Sequence, residues 1–228
     1  CTYDNIIWSF GGDWYDKNYQ PTVNSPAAIE ALDYFKSLVP FAPPGVLTYD
    51  WDENAHAFAQ GNAAMTIQWQ NAAPTFYDPE KSKIVGKFEF TLIPGKRQSD
   101  GSIKRTPTFG GWSLEIPKDS KHKEAAWEFM VWASSPELDP RLAYSQPGSR
   151  FSGLLDPEMQ AKYIEYPGML ASLPIAKGRP RIAAYSELAD ALEVAISEAM
   201  TGSKTSKKAL DEANDKFGTI LKKWGYLR

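Results

Sequence analysis

Phe58-Ala59-Gln60-Gly61-Asn62-Ala63-Ala64-Met65-Thr66-Ile67-Gln68-Trp69 changes periodicity halfway along. A helix runs up to Gly61, a glycine that can take the left-handed conformation ending a helix. Ala64-Met65-Thr66-Ile67 then reads as a buried strand, which ends on Trp69 beside Gln68 and Asn71. A tryptophan delivered to a strand end is well placed to meet a ligand. It can equally plug a core, since Trp is highly buried on average and needs one partner for its indole N–H.

Working outward, Asp50-Trp51-Asp52-Glu53 fits a capping box that opens the helix ending at Gly61, which assigns those carboxylates to structure. Further upstream, Ser25-Pro26 caps a helix whose Ile29, Leu32, Phe35, Leu38 and Val39 share one face until Pro40. Downstream, Phe88 to Ile93 alternates as a strand, Gly95 to Gly101 is a polar turn, and Gly110-Gly111-Trp112-Ser113-Leu114-Glu115-Ile116-Pro117 is a glycine pair feeding a short strand. A helix follows from about Ser120, with Ala125, Ala126, Phe129, Met130 and Ala133 as its apolar face. Ser135-Pro136 and Asp156-Pro157 each open a short helix, and Gln146 to Ser152 is a loop. Two long helices close the chain, one carrying Leu188, Ala191, Leu192, Ala195, Ile196 and Ala199 before Gly202, the other Leu210, Ala213, Phe217, Ile220, Leu221 and Trp224 before Gly225. The order of strand, turn and helix predicts an α/β fold.

Composition narrows the functions. The formal charge of −3 is small and both signs are interspersed, so neither a nucleic-acid footprint nor a polybasic membrane-binding stretch is present. Cys1 is the lone cysteine, which excludes an internal disulfide framework and a cysteine-based zinc site. No charged-then-apolar leader opens the sequence, and the expectation is that the natural N-terminus lies upstream of Cys1. The aromatic content is high, with 8 Trp, 11 Tyr and 11 Phe. Trp8, Trp14, Trp51, Trp69 and Trp112 all lie in or beside Gly-, Asp- or Asn-rich turn sequence. Flat rings with a polar edge suit the C–H face of a sugar while neighbouring amides and carboxylates take its hydroxyls; interface anchoring uses the same residues.

Motifs for chemistry are few. His56 and His122 lack partners at metal-ligand spacing, so no metal site is expected, and no phosphate loop, dinucleotide fingerprint or nucleophile elbow occurs. A glycoside hydrolase would need paired carboxylates, for which Asp13 with Asp16, or Asp50 or Asp52 with Glu53, are the candidates. Capping explains the second set, and Asp13 sits in a Gly-Gly-Asp-Trp turn where aspartate is common. No catalytic residue and no cofactor are assigned.

Four pieces taken together resemble a known family: Phe58, Gly61, Ala64-Met65 and Trp69; Trp8 and Gly11-Gly12 followed by Asn24-Ser25-Pro26; Gly110 to Pro117 with Ser120-Lys121 and Glu124 to Phe129; and the closing Ala209-Leu210-Asp211 helix. In order and spacing they resemble the carbohydrate-type extracellular solute-binding proteins of ABC importers, the group related to maltose-binding protein. The resemblance implies two α/β lobes of the type II periplasmic-binding-protein kind, joined by a hinge and closing on a sugar. It further implies residues 1–97 as the first part of the C-terminal lobe, 98–142 as a strand-helix excursion belonging to the N-terminal lobe, and 143–228 as the second part of the C-terminal lobe, with the start of the N-terminal lobe absent. The implied partners are a sugar, oligosaccharide or polyol and the transmembrane permease subunits, for a monomer peripheral to the membrane, periplasmic or lipid-anchored outside the cell. A glycoside hydrolase and a protein-interaction lobe are the alternatives.

The resemblance also nominates residues. Trp69 with Gln68 takes the strand-end position facing the cleft, and Trp112, with Gly110 and Gly111 allowing close backbone approach, is the other lobe's wall. Arg150 lies in a loop that offers a hydrogen-bonding side chain, able to grip vicinal hydroxyls or an acid. Tyr185, opening a long helix, is an aromatic of the cleft region or a packing residue. Trp8 flanks the Gly11-Gly12 turn as a floor, and Asp13 is a hydroxyl acceptor or a turn residue. Arg179 and Arg181 leave room for an acidic or phosphorylated solute.

Overall fold

The computed structural model describes residues 2–143 and 150–228. The expectations about Cys1 and about the loop from Gln146 to Ser149 lie outside the described residues. In chain order the α-helices are α1 (Thr2–Phe10), α2 (Pro26–Ser37), α3 (Trp51–Ala59), α4 (Ala73–Tyr77), α5 (Lys123–Ala133), α6 (Asp139–Leu142), α7 (Phe151–Leu154), α8 (Pro157–Lys162), α9 (Tyr166–Ser172), α10 (Tyr185–Met200) and α11 (Ser206–Lys223). The strands are β1 (Lys96–Arg97), β2 (Ile103–Lys104), β3 (Thr108–Phe109) and β4 (Lys177–Gly178). The chain divides into two compact units: Cys1–Asn54 with Ile93–Phe109 and Ile175–Arg228, and Ala55–Leu92 with Gly110–Pro174.

The first unit is built on helices whose apolar residues recur at helical spacing. α10 buries Leu188, Ala191, Leu192, Ala195 and Ala199, and α11 buries Ala209, Leu210, Ala213, Phe217 and Leu221. The two pack against each other and against α2, while α1 packs on α2. Small residues at the facing positions let helix axes approach closely. The caps form as the sequence predicts: the Ser25 side chain accepts from Ala28 N–H with Pro26 opening α2, and the Thr205 side chain accepts from Lys208 N–H at the start of α11. Two of the motif pieces meet in space, because Asn24 Nδ2 donates to Asp211 Oδ1 at 2.9 Å across 187 positions of sequence. The polar turn from Gly95 to Gly101 lies in an antiparallel β1–β2 hairpin with Lys96 opposite Lys104. β3 and β4 pair in parallel, Thr108 opposite Lys177. α1 stitches itself to this ladder: Thr106 N–H donates to Ser9 Oγ at 3.1 Å and Thr108 N–H to Asn5 Oδ1 at 2.6 Å.

In the second unit, α3 enters at Ala55 and ends as predicted. Gly61 has φ +75°, and Asn62 N–H reaches back to Ala57 C=O at 3.0 Å, a six-to-one helix stop that an L side chain would strain. Ala55, Ala59, Ala72 and Phe76 form a small core against which Phe58, Phe88 and Phe90 pack. A second cluster holds Ala143, Leu154, Tyr163 and Tyr166. Asp156 caps α8 by accepting from Glu158 and Met159 N–H groups, as expected.

The strands depart from expectation. Residues 64–67, 88–93 and 112–116 carry no ladder, and the ladders among the described residues are two residues long. Phe88 and Phe90 still alternate in burial with Glu89 and Thr91, so the side-chain period survives where the pairing does not. A strand has no backbone partner of its own, and none of these segments finds one among the described residues. Met65 is 85% exposed instead of buried. The helix expected from about Ser120 starts at Lys123 and buries none of its residues, and Ser135-Pro136 leads into turns, with helix resuming at Asp139.

Candidate functional site

The nominated residues fall into the two units, and each unit is built separately. In the first, α1 runs into a tight turn at Gly11-Gly12, where Gly12 N–H donates to Ile7 C=O at 2.9 Å. A Cβ on Gly12 would sit 2.8 Å from Ile7 Cγ1 and 3.1 Å from the Ala28 nitrogen, so the turn is pressed against α1 and α2. This turn delivers Asp13. Its Oδ1 accepts from Trp8 Nε1 at 3.1 Å and from Trp14 N–H at 2.9 Å, and its Oδ2 pairs with Lys177 Nζ. Lys177 Nζ in turn lies 5.0 Å above the Trp8 ring, a cation held by a carboxylate and an aromatic face together. Trp8 is buried and forms a floor, not a platform. Asp13 is a turn residue whose two oxygens are engaged by the protein.

Beside this cluster, Trp14 is buried with Nε1 donating to Asp4 Oδ1 at 2.9 Å. Its ring stacks on Tyr185 at 5.7 Å and 12°. Tyr185 opens α10 and is half-buried, with the Arg179 guanidinium 5.7 Å from its ring. Burial pushes the Asp4 carboxyl above its usual range, and the indole hydrogen bond works against that shift. The outcome is an aromatic wall of fixed orientation, backed by a buried carboxylate and edged by Lys177 and Arg179. Lys177 escaped the sequence reading: it is an unremarkable lysine in a broken stretch, and its partner is 164 positions away.

In the second unit, Trp69 has extended dihedrals (φ −68°, ψ 144°) and stands before the 3-10 turn Gln70–Ala72, where its C=O accepts from Ala72 N–H at 3.0 Å. Gln68 folds back so that its side-chain oxygen accepts the Trp69 N–H at 2.9 Å. Both side chains are half-buried, standing before a turn whose Ala72, with Ala73 and Phe76, is buried. Trp112 is 99% exposed, and Gly111 has open space where a Cβ would be. Arg150 precedes α7, and its Nε donates to Ser134 C=O at 2.9 Å. The structure thus joins Trp8, Asp13, Lys177, Trp14 and Tyr185 in one cluster, and Gln68 with Trp69 in another.

The carboxylates considered for catalysis are taken up by the backbone. Asp50 N–H donates to Glu53 Oε2 at 3.2 Å and Asp52 N–H to Asp50 Oδ1 at 2.9 Å, completing a helix start. Asp16 Oδ1 accepts from Asn18 and Gln20 N–H groups in a turn. One carboxylate was not singled out by sequence: Glu165 is buried, accepts from Tyr77 Oη at 2.6 Å, and has its pKa pushed up by burial. Tyr77 Oη also accepts from Ile164 N–H at 3.1 Å, which ties α4 to the start of α9. Among the described residues no group of three or more His, Cys, Asp and Glu side chains could hold a metal, and no helix is long and apolar enough to cross a membrane.

Comparison with known proteins supplies the context for these clusters. The family model described as bacterial extracellular solute-binding protein matches residues 2–139. A probable amino-acid ABC transporter periplasmic-binding protein of Sinorhizobium fredii is 25% identical over 100% of this chain and 51% of its own length. Among solved structures, an ABC transporter solute-binding protein of Agrobacterium radiobacter K84 in complex with ribitol superposes with a TM-score of 0.84 at 32% identity, covering 96% of this chain and 55% of that one. Maltose-bound MalE3 of T. maritima gives 0.87 at 27% identity, covering 97% and 57%. The chain spans about half the length of the relatives it matches.

Proposed function

Starting from the fact that the chain belongs to the bacterial extracellular solute-binding protein family and shares the type II periplasmic-binding-protein fold, we propose that it is part of the substrate receptor of an ABC importer for a sugar or polyol. The receptor works outside the cytoplasmic membrane, in the periplasm or held to the cell surface, as a monomer that passes its ligand to the permease subunits and makes or breaks no bond. Residues 1–97 and 143–228 are assigned to one lobe and 98–142 to the other. Trp69 with Gln68, Trp112 with Gly111, Arg150 and Tyr185 are the proposed ligand-facing residues, while Trp8 and Asp13 hold the Tyr185 side of the site in place.

The observation that carries this reading is the Trp14–Tyr185–Arg179 arrangement on a fold similar to ribitol- and maltose-bound receptors. A ring fixed by stacking presents its remaining surface without further loss of rotamer freedom, and a guanidinium at its edge can donate to two hydroxyls at once. Lys177 and Arg179 also favour a second reading, an acidic or amino-acid solute, in keeping with the printed description of the Sinorhizobium relative.

Titration with ribitol, D-mannitol, maltose and a panel of amino acids, followed by tryptophan emission and an assay for new reducing ends, tests both. A saturable emission change with a polyol or sugar and no reducing ends supports the receptor. Response to amino acids alone selects the second reading. Release of reducing ends, or silence to the whole panel, overturns the proposal.

A further inference from the structure

α5 is an eleven-residue helix with no buried residue, yet Trp127, Phe129, Val131 and Trp132 are each at least half exposed. At about 100° per residue, Trp127 and Val131 share one side, and Phe129 with Trp132 lies roughly 150° around the helix. A helix that is apolar on two sides belongs between layers of protein, not on a surface. The segment leading into α5 has the same character. Trp112, Leu114 and Ile116 alternate with Ser113 and Glu115 in an extended stretch without a ladder, and Trp112 and Leu114 are well exposed. Ile116 and Trp127 line a groove of about 440 Å³ with Lys123, Glu124 and Glu128, so segment and helix form one surface of the second unit. An apolar patch of this size is far beyond the scattered exposed residues of an ordinary surface.

We propose that this surface, from Trp112 to Trp132, seats the complementary half of a solute-binding protein: an α/β polypeptide equivalent to the part of the relatives that this chain does not span. A strand lacking neighbours and a helix lacking a sheet beneath it are the two elements an α/β layer completes together, by adding strands along 112–116 and a sheet face under α5. The ribitol-bound relative supports that choice, since this chain covers 96% of itself but 55% of the relative. A second copy is disfavoured by symmetry: a self-paired helix covers one of its apolar sides and leaves the other in water. The inference rests on the lobe division proposed above and deepens it by naming the surface through which the lobes join.

The test mixes this chain with a separately produced polypeptide comprising the part of the ribitol-binding relative outside the match, with no ligand present. Expected are a 1:1 complex by analytical ultracentrifugation, a blue shift and reduced acrylamide quenching of tryptophan emission, and slowed amide exchange at 112–116 and 123–133. The double variant W127E/W132E weakens the complex at least 100-fold, while F41E, on another exposed aromatic of the first unit, leaves it unchanged. Amide exchange in α10 and α11 stays at the wild-type level in both, which shows that the first unit remains folded. No complex, a complex insensitive to W127E/W132E, or a dimer of this chain that protects the same tryptophans would each overturn the proposal. Because no ligand is used, failure of the sugar titration and failure of this association are read separately.

Discussion

Replacing Asp13 with alanine removes three interactions at once: the acceptor for Trp8 Nε1, the acceptor for Trp14 N–H and the partner of Lys177. The Trp8 ring is buried, so its N–H loses its partner where water reaches poorly, at a cost of about 1–3 kcal/mol. The Trp14 N–H is part-buried, and its loss adds about 0.5–1.5 kcal/mol. The ion pair is worth at most about 1 kcal/mol, because both side chains keep roughly two-fifths of their surface in water. Asp13→Ala is therefore expected to destabilise the first unit by about 2–4 kcal/mol.

Asp13→Asn keeps an oxygen for one N–H group and loses the ion pair, so its cost is about 1 kcal/mol, and 1 M salt narrows the difference from wild type. Equilibrium unfolding in urea, followed by tryptophan emission, measures both. The reasoning is refuted if Asp13→Ala costs under about 0.5 kcal/mol, or if Asn and Ala cost the same. A variant of normal stability with lost polyol affinity would instead return Asp13 to the role of hydroxyl acceptor.

Three further outcomes are expected. Tyr77→Phe removes a hydrogen bond that lowers the pKa of buried Glu165, so that pKa, already raised by burial, rises further; the cost at pH 8 is about 1–3 kcal/mol. The sign follows from linkage: an acid whose folded pKa is raised penalises the folded state when ionised, so the deficit shrinks as pH falls through the folded value. Urea unfolding at pH 8 and pH 5 checks it, and an equal deficit at both refutes it. Gly12→Ala forces a Cβ within 2.8 Å of Ile7 and 3.1 Å of the Ala28 backbone; it lowers stability by about 1–3 kcal/mol, and a thermal midpoint unchanged from wild type contradicts the packing described. Trp69→Ala is expected to lower affinity for the responding polyol or sugar at least tenfold with a stability change below about 1 kcal/mol, since the ring is half-buried before a short turn; calorimetric titration paired with urea unfolding separates this from a core role.

Helix positions were legible because their determinants are local. Ser25, Thr205 and Asp156 act on N–H groups two or three residues away, and Gly61 acts on its own φ. The buried stripes of α10 and α11 follow from a 3.6-residue period that needs no knowledge of the rest of the chain. The strands were not legible in the same way, since 64–67 and 112–116 have strand composition but no ladder. Motif order also carried the family, which local chemistry alone would not have named.

What the sequence determined by itself is what a segment can satisfy within its own length: caps, helix stops, apolar stripes and the alternating period at Phe88 and Phe90. Tertiary structure alone decided which nominated residues meet. It turned Asp13 from a free acceptor into the partner of Trp8, Trp14 and Lys177, set Tyr185 against Trp14, and left Trp112 in water. The physical reason is the reach of the bonds involved. A helix closes its hydrogen bonds four residues away, whereas the Lys177 ammonium and the edge of a strand find their partners only through the path of the whole chain.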